Sequence, residues 1–586
     1  MRVRFISLLT AMALLGFGVA QAQDPQAGAD GVGDSFYPQL GNGGYDTQHY
    51  TLDLAVDVDA NTLDGTVTID AQATQDLSAF NLDLIGFDVS AVTVNGSVAE
   101  VARQPHELTI TPPTPLADGE VFTVSVAYSG SPSGMNPAST LEYLSGWANY
   151  GDGIFVASEP AGAAGWYPVN DHPLDKATYT FRITVAEPYM VAANGLLADT
   201  IDNGDTTTYV WENSHPTASY LVTVNIAEFV METIEGPDGL PIRNFFPPAL
   251  AEVGSVNFGR AADMIAFYSD LFGPYPFEAY GVVVVNARLG FALETQTLSL
   301  FGADRAGTVG AVDEVAAHEL SHQWIGNSVS LSAWQDIWLN EGFATYASWL
   351  WFEHESGPET MERRVTDTYN AIAEDTRTFT LNVTRDQLVS LVQAMPLDQV
   401  ALASADVARI TELLLTGTPG EAQIATQVAL LPPDTVSGPQ LVAYLAVLPF
   451  DTVALSSAQI GELFELIDLY EFLGARLTIP QSHYLPPGKP SARDLFNRGV
   501  YQRGALTLHA LRLRVGDDAF FTILRTYYER FQYGNATTDD FVAVAEEISG
   551  EELDDFFAAW LTDPIIPDIS EMGLTAALPA KNAGSE

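Results

Sequence analysis

His318 and His322, with Glu319 beside the first of them, constrain this chain more than any other feature. On an α-helix, positions i and i+4 differ by about 40° of rotation, so both imidazoles project from one face and can reach one metal ion. The surrounding run Val315-Ala-Ala-His318-Glu319-Leu-Ser-His322-Gln-Trp-Ile-Gly326-Asn327 reads as that helix. Eighteen residues intervene before Glu341, in a second predicted helix, Trp338-Leu-Asn-Glu341-Gly-Phe-Ala-Thr-Tyr346-Ala. Glu341 can supply a third, hard oxygen ligand, and two His plus one Glu leave a tetrahedral position open for water, as in a catalytic rather than a structural zinc site. Glu319 lies where it can take a proton from water activated by that metal. Any fold that uses these residues must hold the two helices together. Cysteine is absent, so thiolate ligands, disulfides and cysteine nucleophiles are excluded.

The rest of the 586 residues falls into patterned regions, an α+β multidomain reading. Residues 43–232 alternate apolar and polar, as in Tyr50-Thr-Leu-Asp-Leu-Ala-Val and Val121-Phe-Thr-Val-Ser-Val, with turns at Asn95-Gly96 and Asn203-Gly204. This predicts an N-terminal antiparallel β-sandwich or saddle domain. Asp57-x-Asp59-x-Asn61 resembles the start of a calcium loop, but Thr62 and Thr68 stand where Gly and Glu are needed, so it reads as a hairpin turn. Residues 233–380 and 485–575 carry helical periodicity around one apolar strand, Val282-Val-Val-Val285, and predict a mainly α domain. Between those halves, 381–484 repeats itself at an offset of 53 residues: Gln387-Leu-Val, Met395-Pro-Leu-Asp398 and Val400-Ala-Leu402 recur as Gln440-Leu-Val, Leu448-Pro-Phe-Asp451 and Val453-Ala-Leu455. The repeated Leu-Pro-x-Asp starts predict an inserted tract of stacked short helices.

Asp plus Glu total 75 against 24 Lys plus Arg, a formal charge of -51 that repels nucleic acid. Such a surface suits a saline habitat. Hydrophobic residues at 47% exclude global disorder. Arg2 and Arg4, an apolar run from Phe5 to Ala20 and Ala20-Gln21-Ala22 read as an export signal over 1–22, with cleavage before Gln23 and no membrane anchor afterwards. The expected location is secreted or periplasmic. A linker follows at 23–42, and 576–586 reads as a flexible tail.

With these motifs the chain resembles the M1 family of zinc aminopeptidases, the gluzincins. The resemblance extends to Tyr45-Asp-Thr-Gln-His-Tyr50, Trp166-Tyr-Pro-Val-Asn-Asp171-His-Pro-Leu-Asp-Lys176-Ala and Tyr501-Gln-Arg503-Gly504-Ala505. It implies a β-domain capping a thermolysin-like catalytic domain, one Zn2+ per chain, and removal of one residue from peptides with a free N-terminus. His318, His322 and Glu341 are then the zinc ligands and Glu319 the general base. The resemblance makes Tyr501 the donor to the developing oxyanion. The separation of 160 residues between Glu341 and Tyr501 falls to 56 once the 104 residues of the insertion are removed.

Glu294, in Gly290-Phe-Ala-Leu-Glu294-Thr, matches the family's amine-binding exopeptidase motif, with Ala292 at its main-chain substrate position. Glu159 matches a second amine-binding position. Phe291 replaces the family's Gly and Thr295 its Asn, which alters the first side-chain pocket. The chain also looks like a short form lacking the C-terminal helical domain, and the inserted tract is expected to cover part of the active-site mouth. A zinc endopeptidase or other zinc hydrolase on the same scaffold would keep the metal site and accept blocked substrates; a binding protein would have lost the base or the tyrosine.

Overall fold

Alternating burial along Tyr45–Asp57 and Ala177–Ala186 marks strands with one face against a core. In the computed structural model, which describes residues 24–132, 146–310, 312–378, 380–393, 401–415, 426–449, 452–456, 485–490, 492, 494–563 and 565–576, these strands lie at the centre of an eight-stranded sheet. Residues 1–23, with the expected export signal at 1–22, and residues 577–586, within the expected tail, lie outside the described residues. Among the described residues no helix is long and apolar enough to cross a membrane.

The large sheet is not wholly antiparallel, as the sequence pattern suggested. Ala177–Ala186 runs parallel to Tyr45–Asp57. The strands are separated by more than a hundred residues, so the chain can return in the same direction, which a tight hairpin forbids. The acidic turn after Asp57 is a hairpin: Asp57 pairs with Thr62, and the Asp57 carboxylate accepts from the backbone N of Ala60 at 2.9 Å. Two four-stranded sheets complete the β-domain.

A five-stranded sheet runs in the order Val230–Glu235, Pro241–Phe246, Tyr280–Val285, Ser299–Gly302, Ala292–Leu293. The chain enters it at Val230, three residues before the expected start of the second domain at 233. This sheet is the wall between two cores. Along Tyr280–Val285, Val282 and Val284 face the helical core, while Val283 and Val285 face the core of the β-domain. Burial on both faces explains the unbroken valine run. Ala292–Leu293 is the edge strand.

The segment read as a linker is built into the structure: Gln26–Ala27 pairs with the strand Leu77–Asp83, and Asp34 reaches both domains. The Asp34 carboxylate accepts from the backbone N of Phe36, Tyr37 and Trp334 at 2.7, 3.0 and 2.9 Å, and pairs with His172 Nε2 at 3.3 Å. One buried carboxylate therefore ties both domains together. The inserted tract also differs from a stack of helices: each described unit is a short strand running straight into a helix. Thr380–Thr384 leads into Arg385–Gln393, Ala401–Ala403 into Ser404–Leu415, and Thr435–Ser437 into Gly438–Leu445. Thr380–Thr384 pairs with Thr452–Ser456, and Ala401–Ala403 with Thr435–Ser437. The Leu-Pro-x-Asp motif at 431–434 opens a strand, and Ser437 with Gln440 caps the helix behind it, as Thr384 and Gln387 do in the first unit.

Candidate metal and active site

The helix Asp313–Ser321 carries His318 and Glu319, and His322 is its C-terminal cap. Trp338–Ser356, buried over most of its length, carries Glu341 in its first turn. His318 Nε2 lies 3.1 Å from Glu341 Oε2 and 3.1 Å from His322 Nε2, and His322 Nε2 lies 3.5 Å from Glu341 Oε2. Ligands held at the zinc bond lengths of ~2.0–2.2 Å in a tetrahedron are separated by about 3.4 Å, so the three atoms already form one face of such a site. Burial opposes charge on both His322 and Glu341, but their mutual attraction overrides it. Neighbouring carboxylates, Glu294 and Glu341 foremost, push His322 up to about 10, and His322 with the hydrogen bond from His318 brings Glu341 down to about 2.

Backbone geometry at two places sets this arrangement. Gly326, at φ +122°, leaves room beside His322: a Cβ there would meet His322 Nδ1 at 2.8 Å. Gly342 and Gly504 face each other where Trp338–Ser356 crosses Gly504–Val515, and a Cβ on Gly342 would lie 2.9 Å from the Gly504 Cα. That crossing brings the turn Gly499–Arg503, a π-helical widening, against the metal-site helix. Tyr501 projects from it and stacks on His318 with ring centroids 6.0 Å apart. Burial, then Glu341, Glu159, Glu294 and Glu319, hold the Tyr501 phenol well above its ordinary range, so it remains a proton donor.

Glu294 follows the edge strand Ala292–Leu293. Its backbone carbonyl accepts from Asn327 Nδ2 at 2.7 Å and Gln323 Nε2 at 3.1 Å, both just past His322. Gln323 Oε1 in turn accepts from the backbone N of Thr297. Lys176 Nζ donates to the carbonyls of Asn327 and Ser328 at 2.8 and 3.0 Å. Sequence reading missed Gln323 and Asn327 as supports. Their signal was position alone, directly after the second histidine.

One oxygen each of Glu159, Glu294 and Glu341 lies within 4.8 Å of the others. Glu159 Oε1 and Glu294 Oε1 are buried with no hydrogen-bond partner among the described residues. Burial, followed by repulsion from Glu294, Glu341 and Glu319, pushes Glu159 well above the usual carboxylate range. Burial also raises Glu294, partly offset by His322, and it pushes Glu319 far up, with Glu294 adding to it. Glu159, Ala292, Glu294, His318, Glu319, His322, Glu341 and Tyr501 all line one cavity of about 530 Å³, so every residue singled out in the sequence converges there.

The chain matches the Peptidase family M1 domain over residues 256–392 and 485–560, and the Peptidase M1 N-terminal domain over 46–221. The interruption at 393–484 falls within the inserted tract. Among curated relatives, Aminopeptidase 2 of Candida albicans is 26% identical over 319 residues, 51% of this chain and 34% of the relative. Endoplasmic reticulum aminopeptidase 1 of Homo sapiens is 25% identical over 336 residues, 52% of this chain and 34% of that protein. The chain spans about a third of the length of these relatives. Among solved structures, the M1 zinc metallopeptidase of Deinococcus radiodurans superposes with a TM-score of 0.67 at 27% identity, covering 92% of this chain and 98% of that one. A variant of it has been solved with a Tyr-Ser-Ala substrate bound, and matches with the same TM-score and identity.

Proposed function

The chain belongs to peptidase family M1, and from that premise we propose that it is an exported zinc aminopeptidase that removes the N-terminal residue from peptides. The observation that carries this reading is the pair of buried, unpartnered carboxylate oxygens of Glu159 and Glu294 beside the metal triad. Buried acceptors without partners are costly, and convergent ones call for a cationic ligand. A substrate α-ammonium supplies that charge with donors for both oxygens.

One Zn2+ per chain would be held by His318 Nε2, His322 Nε2 and a Glu341 carboxylate oxygen. When bound, it supplies a Lewis acid that acidifies water and polarises a carbonyl. The chain's own residues do the rest. Glu159 and Glu294 anchor the ammonium and so fix which peptide bond is presented. Glu319 takes the proton from the attacking water and passes it to the leaving amine. Tyr501 donates its phenolic hydrogen to the oxygen that gains charge. The edge strand at Ala292 offers open backbone to an extended substrate.

The test is chromophore release from amino-acid anilides by the zinc-loaded protein, with free and N-acetylated substrates compared. Free-amine substrates alone should be cut, and Glu319→Ala should abolish turnover. Glu294→Gln should raise KM by about tenfold or more, the worth of one charge-assisted hydrogen bond at ~1.5–3 kcal/mol. Equal cleavage of acetylated substrates would refute the exopeptidase assignment and favour a zinc endopeptidase. Export rests on Arg2, Arg4 and the apolar run from Phe5 to Ala20. A secreted or periplasmic product beginning at Gln23 supports it, and one retaining Met1 refutes it.

A further inference from the structure

The cavity that holds the metal triad also carries cations. Arg305 and Arg498 line it, in a chain where Asp and Glu outnumber Lys and Arg by 75 to 24. Among the described residues neither forms an ion pair with a carboxylate. Arg305 has one hydrogen bond, from its Nη2 to the carbonyl of Gly290 at 2.9 Å. Arg498, exposed and immediately before the turn that carries Tyr501, has no ion pair or hydrogen bond from its side chain among the described residues. The acid in the same wall, Glu314, is already taken by Arg364, which donates to it at 2.6 and 3.3 Å.

The two charges of the cavity are sorted. Glu159 and Glu294 stand together where an ammonium is held. Arg305 is held instead by the carbonyl of Gly290, on the other side of the edge strand Ala292–Leu293 from Glu294, and Arg498 immediately precedes the turn that carries Tyr501. A peptide anchored by its ammonium at Glu294 and laid along that strand therefore runs toward Gly290 and the arginines. An extended residue spans ~3.3–3.6 Å, so one or two residues beyond the scissile bond carry a chain terminus about 4–7 Å onward. A guanidinium is the side chain that best grips a planar carboxylate, through two parallel N–H donors.

We propose that Arg305 and Arg498 form a carboxylate subsite that reads the free C-terminus of di- and tripeptides, making short zwitterionic peptides the substrate class. This rests on the aminopeptidase reading of the same cavity. The acidic remainder of the surface repels a carboxylate everywhere else, so the preference is expected mainly in KM.

The experiment measures kcat/KM of the zinc-loaded protein on Leu-Gly-Gly, Leu-Gly-Gly-amide and Leu-Gly-Asp-amide. The free acid should exceed the amide by about tenfold, the effect of one charge-assisted contact of ~1.4 kcal/mol. In Arg498→Gln, which removes no contact of the fold, that ratio should fall severalfold, and further in the double variant with Arg305→Gln. Calorimetric binding of Leu-Gly-Gly to the zinc-loaded Glu319→Ala protein should weaken in parallel when Arg498→Gln is added. Acid and amide cut equally well by the wild type, or a ratio unchanged in the double variant, would overturn the inference while leaving the aminopeptidase reading intact. A gain for Leu-Gly-Asp-amide equal to that of the free acid would assign the subsite to acidic side chains and refute the length selection. No cleavage of any of the three would instead sink the aminopeptidase reading itself.

Discussion

Gly342→Ala isolates the helix crossing that brings the metal triad and Tyr501 together. The new Cβ would lie 2.9 Å from the Cα and 3.0 Å from the carbonyl carbon of Gly504, both backbone atoms that no rotamer change can move. Carbon contacts are comfortable at ~3.5–4.0 Å, so the helices must part by about 0.6 Å or more. Overpacking of this kind costs ~1–3 kcal/mol, whereas replacing a mid-helix glycine by alanine returns about 1 kcal/mol. Net stability should therefore fall by no more than about 2 kcal/mol, and the protein should fold. Activity should respond far more. Glu341 is the neighbour of Gly342, and Tyr501 lies one turn before Gly504, so the shift opens the gap between the proposed ligand and the proposed oxyanion donor. A misplacement approaching 1 Å can lower turnover by about 10²-fold. Glu159 and Glu294 stand on other elements, so KM should change little. The assay is kcat and KM on a free-amine anilide, with zinc content and thermal midpoint measured on the same preparation. Unchanged kcat with a midpoint raised by the better helix former would refute the claim that this crossing sets the catalytic geometry.

Gly326→Ala places a Cβ at 2.8 Å from His322 Nδ1 and should weaken zinc binding, read as faster metal loss to a chelator, with the fold retained. Lys176→Met leaves the carbonyls of Asn327 and Ser328 without their donor, and should lower the unfolding free energy by about 1–3 kcal/mol while raising KM through the Asn327 contact to Glu294. Unfolding midpoints should rise with added NaCl, because screening relieves a net charge of -51; a flat or falling midpoint would contradict the saline reading.

The metal triad was legible because its geometry is local: i and i+4 on one helix, then a short excursion to the next. Tyr501 became legible only when 381–484 was set aside as an insertion, since spacing carries meaning only within one continuous fold. Strands announced themselves by alternation, but alternation says which face is buried and not which neighbour lies alongside. The parallel pairing of Ala177–Ala186 with Tyr45–Asp57 is decided across the whole β-domain and leaves no local trace. The repeats were misassigned for a related reason. Their Leu-Pro-x-Asp starts are turn signals, equally able to open a strand, and the residues that mark the helix are the Ser437 or Thr384 cap with its Gln partner. Two signals were available and unread: Gly342, beside Glu341, and Gly504, one turn after Tyr501, each interrupt a helical pattern, where a glycine weakens the helix by about 1 kcal/mol unless close packing requires it.

Buried cations explain how so acidic a chain keeps its site in register. Arg243 lies over the ring of Trp211 at 5.3 Å and donates to the carbonyl of Thr297 at 3.1 Å. Arg503 donates to the carbonyls of Trp560 and Ala559, and Lys176 to those of Asn327 and Ser328. Arg243 and Lys176 bind backbone carbonyls of irregular segments, and Arg503 binds carbonyls in the last turn of the helix Asp554–Leu561, which the helix itself leaves open. Two of those segments, around Thr297 and Asn327, are the ones that hold Glu294 in place. Carboxylates drawn to these cations would have competed with the carbonyls and left the segments loose. The result is a cavity in which Glu159 and Glu294 each keep a buried carboxyl oxygen unpaired, because the nearby cations are already committed to the backbone. Arg498 is the cavity's exception to that commitment among the described residues, and Arg305 gives only its Nη2 to the carbonyl of Gly290, which is why the two guanidinium groups point to a ligand of opposite charge.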